Sequence, residues 1–293
     1  MSRFGVLCEP MGLRKPGPAV ILLNTGGIPH TGYGRQSVEM ARYLAGRGFV
    51  SFRIGINGIG ETAENAGWPS QHSYMKSCLE DVRAAIDWLE GTGFNNPAII
   101  GVSGGALLAF HIALADDRVS GIQLVNLEKF IRGEKENRAL VQRRKALEPQ
   151  FDAGTGRSAL KSLLAKILSP FNQGGGGDAL DVLQTIKTKL DRGMRISMIY
   201  NKGDAGIRDM NAHLGEKGRY LRDYENFSTG IINPASRKLP GGAGSAQLYP
   251  VAEKFLESLE VTRLRRLTTG QANHREILPG LYSAAHGPKP WCL

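Results

Sequence analysis

The stretch that most constrains this chain is Ile99-Ile100-Gly101-Val102-Ser103-Gly104-Gly105-Ala106-Leu107-Leu108-Ala109-Phe110. An apolar run of strand length breaks at a glycine, places one serine between glycines, and passes directly into a small-residue helical pattern. A backbone that turns this tightly needs neighbours without side chains, which Gly-x-Ser-x-Gly supplies. The helix that follows aims its N-terminal amides and the positive end of its dipole at the bend, a setting that favours negative charge. With 38 glycines in the chain the motif alone has little weight. The strand before it and the helix after it give it meaning.

The rest of the chain repeats that alternation. Residues 4–8 read as a short edge strand, followed by a Pro/Gly-rich turn over 10–18. Residues 19–24 are a continuous apolar run, expected of a strand buried on both faces, and they end in the glycine-rich stretch 25–34. Val38, Met40, Ala41, Tyr43 and Leu44 fall at helical spacing, stopped by Gly46 and Gly48. Further strands are expected at 49–54, 119–125, 195–200 and 230–232, and further helices at 74–89 and 248–259. Strands alternating with helices imply βαβ units and a mostly parallel sheet. Ligands of such sheets bind beyond the C-terminal strand ends. The loop at Gly26 and the bend at Ser103 should therefore open onto one crevice.

Between 128 and 191 the rhythm changes to helical patterns richer in Lys and Arg than in Asp and Glu, around Gly174-Gly175-Gly176-Gly177. This segment reads as a helical lid inserted into the core, against the alternative of an ordinary crossover with a long surface loop. The expected organisation is an α/β core over 1–127 and 192–260, the insertion over 128–191, and a C-terminal tail over 261–293 of undefined structure.

Bulk properties narrow the function classes. A length of 293 residues, 41% apolar and 22% charged, suits a globular α/β protein with a substantial core. No apolar run is long enough for a membrane-spanning helix, and the N-terminus lacks a secretory core. Cys8, Cys78 and Cys292 are odd in number and widely spaced. They fit unpaired thiols in a reducing compartment, hence the cytoplasm, and no metal-ligand spacing. No cofactor is expected. The net charge of +10 comes without a nucleic-acid-binding module, so it reads as a solvated basic face.

A serine on such a bend, a nucleophile elbow, attacks carbonyls only if a base takes its proton, usually a histidine oriented by a carboxylate. The chain order in elbow proteins is Ser, then acid, then His. Asp204 follows the 195–200 strand in a glycine-flanked turn and is the expected acid, with Glu128 in reserve. It could equally be a turn aspartate that bonds its own backbone. The histidine should lie between the last strand and the last helix, yet residues 233–247 contain none. Of the six, His111 reads as packing, His213 as exposed, and His274 and His286 lie beyond the final helix. His30, in the loop facing Ser103, is the first candidate for the base, ahead of His72 and His274; a loop-bracing role is its alternative. The oxyanion donors would be the backbone amides of Gly104 and of Gly26 or Gly27.

These residues resemble the α/β-hydrolase superfamily. More closely they are similar to the serine-hydrolase-like proteins of bacterial exopolysaccharide and exosortase systems. The matching pieces are Leu23-Asn24-Thr25-Gly26-Gly27 with His30, the run from Ala41 to Phe49, Gly58-Ile59-Gly60-Glu61-Thr62, Gly101-Val102-Ser103-Gly104-Gly105-Ala106, and Gly203-Asp204-Ala205-Gly206-Ile207. The resemblance implies an eight-stranded, mostly parallel sheet with a helical lid. It also implies a Ser–Asp–His hydrolase acting on an ester, thioester or amide, with Ser103 and Asp204 at the nucleophile and acid positions. Two departures stand out. Gly55 replaces the Asp of the strand-end pattern Arg-x-Asp, and the late histidine is missing. Two functions follow as expectations: a serine hydrolase or acyltransferase acting on a small acyl or glycan-related substrate through an acyl-enzyme, or a pocket that binds such a ligand or a partner without fast chemistry.

Overall fold

The structure, a computed structural model, describes residues 3–24, 28–56, 59, 71–131, 181–233, 247–268 and 291–292, with the backbone alone for 71–75, 261–268 and 291–292. Its strands are β1 (Arg3–Cys8), β2 (Val20–Leu23), β3 (Ser51–Ile54), β4 (Ala98–Val102), β5 (Gly121–Val125), β6 (Arg195–Asn201), β7 (Phe227–Ile232) and β8 (Trp291–Cys292). The helices are α1 (Gln36–Gly46), α2 (Gln71–Gly91), α3 (Gly104–Ala115), α4 (Val182–Asp191), α5 (Gly206–Leu214) and α6 (Leu248–Thr268). One sheet runs in the order β7-β6-β5-β4-β2-β3-β1-β8. From β3 to β7 every pairing is parallel, while β1 runs antiparallel to β3.

The apolar strand runs are buried on both faces, and alternation sorts their side chains. Ile21 and Leu23 of β2 and Ile99 of β4 enter a large core with α2, α3, α4 and α5. Val20, Leu22 and Ile100 enter a smaller one with Met40, Ala41 and Leu44 of α1 and Ala252, Phe255, Leu256 and Leu259 of α6. Fully burying a side chain of this kind contributes about 1.5–3 kcal/mol, so α1 and α6 are held firmly against their face. α3 is apolar all round, with Ala106, Ala109, Phe110 and Ile112 at 0% exposure, because it packs between the sheet and α2.

Two expectations need adjustment. Residues 4–8 do not form the sheet edge, because the tail returns and Trp291–Cys292 pairs in parallel with Arg3–Phe4. Of the expected insertion 128–191, residues 132–180 lie outside the described residues. Its last turns form α4, whose Val182, Ile186 and Leu190 are part of the main core. Among the described residues, no helix is long and apolar enough to cross a membrane.

Candidate active site

Ser103 occupies the bend between β4 and α3 with φ 53° and ψ −110°, a conformation that an L-residue adopts only when its surroundings impose it. The surroundings do. A Cβ on Gly101 would fall 2.7 Å from the Ala106 nitrogen, and one on Gly105 would fall 2.6 Å from the Asn24 carbonyl oxygen. The first turn of α3 is thus pressed against both β4 and the end of β2, which leaves room for glycine only. The Ser103 amide donates to the Val125 carbonyl at 2.8 Å, and its carbonyl accepts from the amides of Ala106 and Leu107 at 3.0 and 3.2 Å.

A serine at the start of a helix ordinarily caps it with its hydroxyl. Ser103 does not: its side chain makes no cap hydrogen bond. The hydroxyl is half-buried and stands at the sheet rim rather than inside the core. Gly104 is the first residue of α3, so its amide has no acceptor within the helix.

Asp204 lies just past β6 and opens the turn into α5. Its Oδ1 accepts the Gly206 amide at 2.8 Å, so the carboxylate already braces its own turn. Glu128 is exposed beyond β5. Beside Asp204, the buried Tyr200 hydroxyl has no hydrogen-bond partner among the described residues. Burial first, then the charges of Asp204 and Asp209, push its phenol above the usual range.

His30 is 7% exposed, its ring edge-on to Phe4 at 4.9 Å. Its Nδ1 lies 3.0 Å from Nη1 of Arg53. A guanidinium can only donate, so Nδ1 accepts and the neutral ring carries its proton on Nε2. Held this way the imidazole is a donor at Nε2, with no lone pair there for a serine proton.

The topology brings His30, Ser103 and Asp204 to one rim, because each follows the C-terminal end of a parallel strand: β2, β4 and β6. Among the described residues no hydrogen bond joins any two of them. Gly26, Gly27, His274 and His286 lie outside the described residues, and His72 is described only as backbone within α2. His111 packs edge-on to Phe110 at 5.6 Å, and burial pushes its imidazole down to about 4. His213 sits 4.0 Å from the Asp209 carboxylate on α5, against Phe130. Sequence reasoning misses Arg53 and Tyr200. A lone arginine between Phe52 and Ile54 is the available signal for the first.

Next to the elbow, on the α1/α6 face, lies a shallow dent that encloses only about 10 Å³, room for about one water molecule. Leu22, Met40, Ile100, Val102, Leu248 and Tyr249 give it apolar walls. Asn24 braces the loop above it, donating to the Pro29 carbonyl at 2.8 Å and accepting from the Ser37 hydroxyl.

Comparison with protein-family models and with curated proteins finds no match. Among solved structures the chain is similar to a monoacylglycerol lipase of Paleococcus ferrophilus, at 13% identity and a TM-score of 0.52 over 88% of this chain and 100% of that one. It is also similar to Est1E of Butyrivibrio proteoclasticus, solved with ferulic acid, at 12% identity and TM-score 0.51 over 88% and 96%. A dienelactone hydrolase of Anabaena variabilis aligns at 15% identity and TM-score 0.52 over 87% and 90%. The fold is that of the α/β hydrolases. At such identities the likeness carries architecture alone. Within this α/β-hydrolase fold, Ser103 directly follows β4 near the middle of the sheet, and Asp204 lies in the loop after β6, two places away.

Proposed function

We propose that the protein is a serine hydrolase or acyltransferase of slow turnover, taking a small acyl ester or thioester through an acyl-enzyme at Ser103. The observation that carries this reading is the bent backbone at Ser103 with a hydroxyl that its own helix does not use. The Ser103 Oγ attacks the carbonyl carbon, and the oxyanion is received by the Gly104 amide and by an amide of Gly26 or Gly27. The tetrahedral intermediate collapses, the alkoxide or thiolate leaves, and water or another acceptor then takes the acyl group. The resemblance to exopolysaccharide-associated proteins supports a glycan-related acyl donor, and the odd number and wide spacing of the three cysteines support a cytoplasmic setting.

The serine proton is the weak point of the chemistry. With Nδ1 of His30 accepting from Arg53, the imidazole serves as a donor, and solvent hydroxide takes the serine proton. Asp204, tied to Gly206, lends negative charge to the crevice. Reaction of Ser103 with a fluorophosphonate probe should then rise about tenfold per pH unit with no inflection in the imidazole range, and Ser103→Ala should abolish it. A plateau above neutral pH that His30→Gln removes would instead make His30 the base. A second reading, ligand binding without chemistry, is favoured by the lack of histidine in residues 233–247. Absence of any labelling across this pH range selects it.

A further inference from the structure

Ser103 and Asp204 follow strands that are not neighbours, and the strand between them carries a residue that joins their two turns. The Ser103 amide donates to the Val125 carbonyl at 2.8 Å, the last rung between β4 and β5. The next residue, Asn126, faces the other way and donates its amide to the Ile199 carbonyl at 2.8 Å, extending the parallel pairing of Val125 with Ile199. In a parallel ladder the following rung would run from the Asn201 amide to the backbone carbonyl of Asn126. The chain leaves the sheet there instead, because Asn126 has φ 52°. Its side chain completes the rung: Oδ1 accepts the Asn201 amide at 2.8 Å.

That bond leads directly to the candidate acid. The Asn201 carbonyl accepts the Asp204 amide at 3.0 Å, and Asp204 Oδ1 accepts the Gly206 amide at 2.8 Å. A Cβ on Gly206 would collide with the Leu127 carbonyl oxygen, so α5 starts in contact with the residue that follows Asn126. β4 and β6 stand two strand spacings apart, about 10 Å, and Asn126 spans the gap between their ends. Two demands meet at this position. The left-handed backbone is open to glycine and, among other residues, chiefly to asparagine and aspartate. The missing ladder carbonyl has to be replaced by a side-chain oxygen, which glycine lacks.

We propose that Asn126 is a positioning residue that clamps the Asp204 turn to the strand bonded to the Ser103 bend, and so fixes where the Asp204 carboxylate stands relative to the Ser103 hydroxyl. Its effect on reactivity rests on the proposed chemistry at Ser103, whereas the clamp itself does not.

The test uses the full chain with Asn126→Gly, which accepts the same backbone and removes only the acceptor, and Asn126→Asp, which keeps both. By amide hydrogen exchange read by NMR, the parent should protect the Asn201 and Asp204 amides. Asn126→Gly should speed both by about fivefold or more while the amides within β4 keep their rates, and Asn126→Asp should restore protection. An Asn201 amide that exchanges freely in the parent overturns the clamp without any variant, and so does unchanged exchange in Asn126→Gly. Fluorophosphonate labelling of Ser103 should fall by about fivefold or more in Asn126→Gly, and by nothing further when Asp204 is already replaced by asparagine. A merely structural role would give the same loss in both backgrounds. That outcome overturns the positioning role, as does labelling of Asn126→Gly at the parental rate. If the parent is not labelled at all, the Ser103 chemistry fails while hydrogen exchange still decides the clamp.

Discussion

Replacing Gly105 by alanine challenges the contact on which the elbow depends. The new Cβ would lie 2.6 Å from the Asn24 carbonyl oxygen and nearer still to that of Leu23. Both are backbone atoms at the end of β2, so no flexible side chain can swing away. Reaching an ordinary separation requires β2 or the first turn of α3 to move by about 1 Å, in an interior packed like a crystal. Each is pinned: Leu23 pairs in register with Gly101, and the Ser103 amide is bonded to Val125 at 2.8 Å. Overpacking costs about 1–3 kcal/mol, and a backbone neighbour places this case in the upper half. At about 2–4 °C per kcal/mol for a chain of this size, Gly105→Ala should lower Tm by about 4–12 °C. The bend would shift with it, so fluorophosphonate labelling of Ser103 should fall by about tenfold or more. Gly46→Ala is the control. Nothing lies within 4 Å of its Cβ position at the end of α1, so stability should hold or rise by up to about 1 kcal/mol. Calorimetry and labelling read both variants. A Gly105→Ala protein that melts and labels like the parent would refute the close-contact account of the elbow.

Other outcomes follow from single residues. His111 is held down at about 4 against an ordinary 6.5. The unfolded chain therefore takes up a proton that the folded one refuses; stability is full above about pH 6.5 and falls by at most about 3 kcal/mol as pH drops to 4. His111→Leu should flatten that slope in denaturant titrations, and an unchanged slope would assign the acid sensitivity elsewhere. For Asp204, the turn role and the chemical role separate cleanly. The side-chain oxygen of an asparagine can still accept the Gly206 amide, so Asp204→Asn should keep Tm, while Asp204→Ala loses about 1 kcal/mol. A labelling rate that falls in Asp204→Asn indicates that the charge acts on the site; an equal rate leaves Asp204 as a turn former only. Arg118 joins Asp116, Asp87 and Glu90 at 2.6 to 2.8 Å, tying α2 to the turn before β5. Arg118→Met should cost about 2–3 kcal/mol by leaving Asp116 buried with only Arg83 near it, and a loss under about 0.5 kcal/mol would show that the pair is solvent-screened.

What can be read from the sequence follows from which physics is local. The runs 19–24 and 98–102 announce buried parallel strands because both their faces are covered and neither alternates. The elbow is legible because three conditions fall within five residues: a bend, a hydroxyl and close approach at two glycines. Asp204 does follow a strand, yet its bond to Gly206 is a turn interaction that the surrounding Gly203 and Gly206 equally announce. The tail is not legible, because the pairing of Trp291–Cys292 with β1 joins residues nearly the whole chain apart. No periodicity carries that information.

Arg53 and His30 mark the point where local reading and tertiary structure part most sharply. His30 by sequence is a histidine in the right loop, and in a free loop it would be available as a base. Whether it is one depends on what its Nδ1 meets. That is decided by Arg53 on β3, which the alternation Phe52-Arg53-Ile54 would by itself turn toward solvent on an open sheet face. Here that face is roofed by α1, packed through Met40, Ala41 and Leu44, so the arginine is sealed in and takes the imidazole as its acceptor. Sealing the arginine in therefore orients the ring: its Nδ1 accepts from the guanidinium, so the lone pair that a free loop histidine would offer on that side is already used. A crevice whose candidate base is tied up in this way leaves removal of the Ser103 proton to solvent, and slow turnover follows from that.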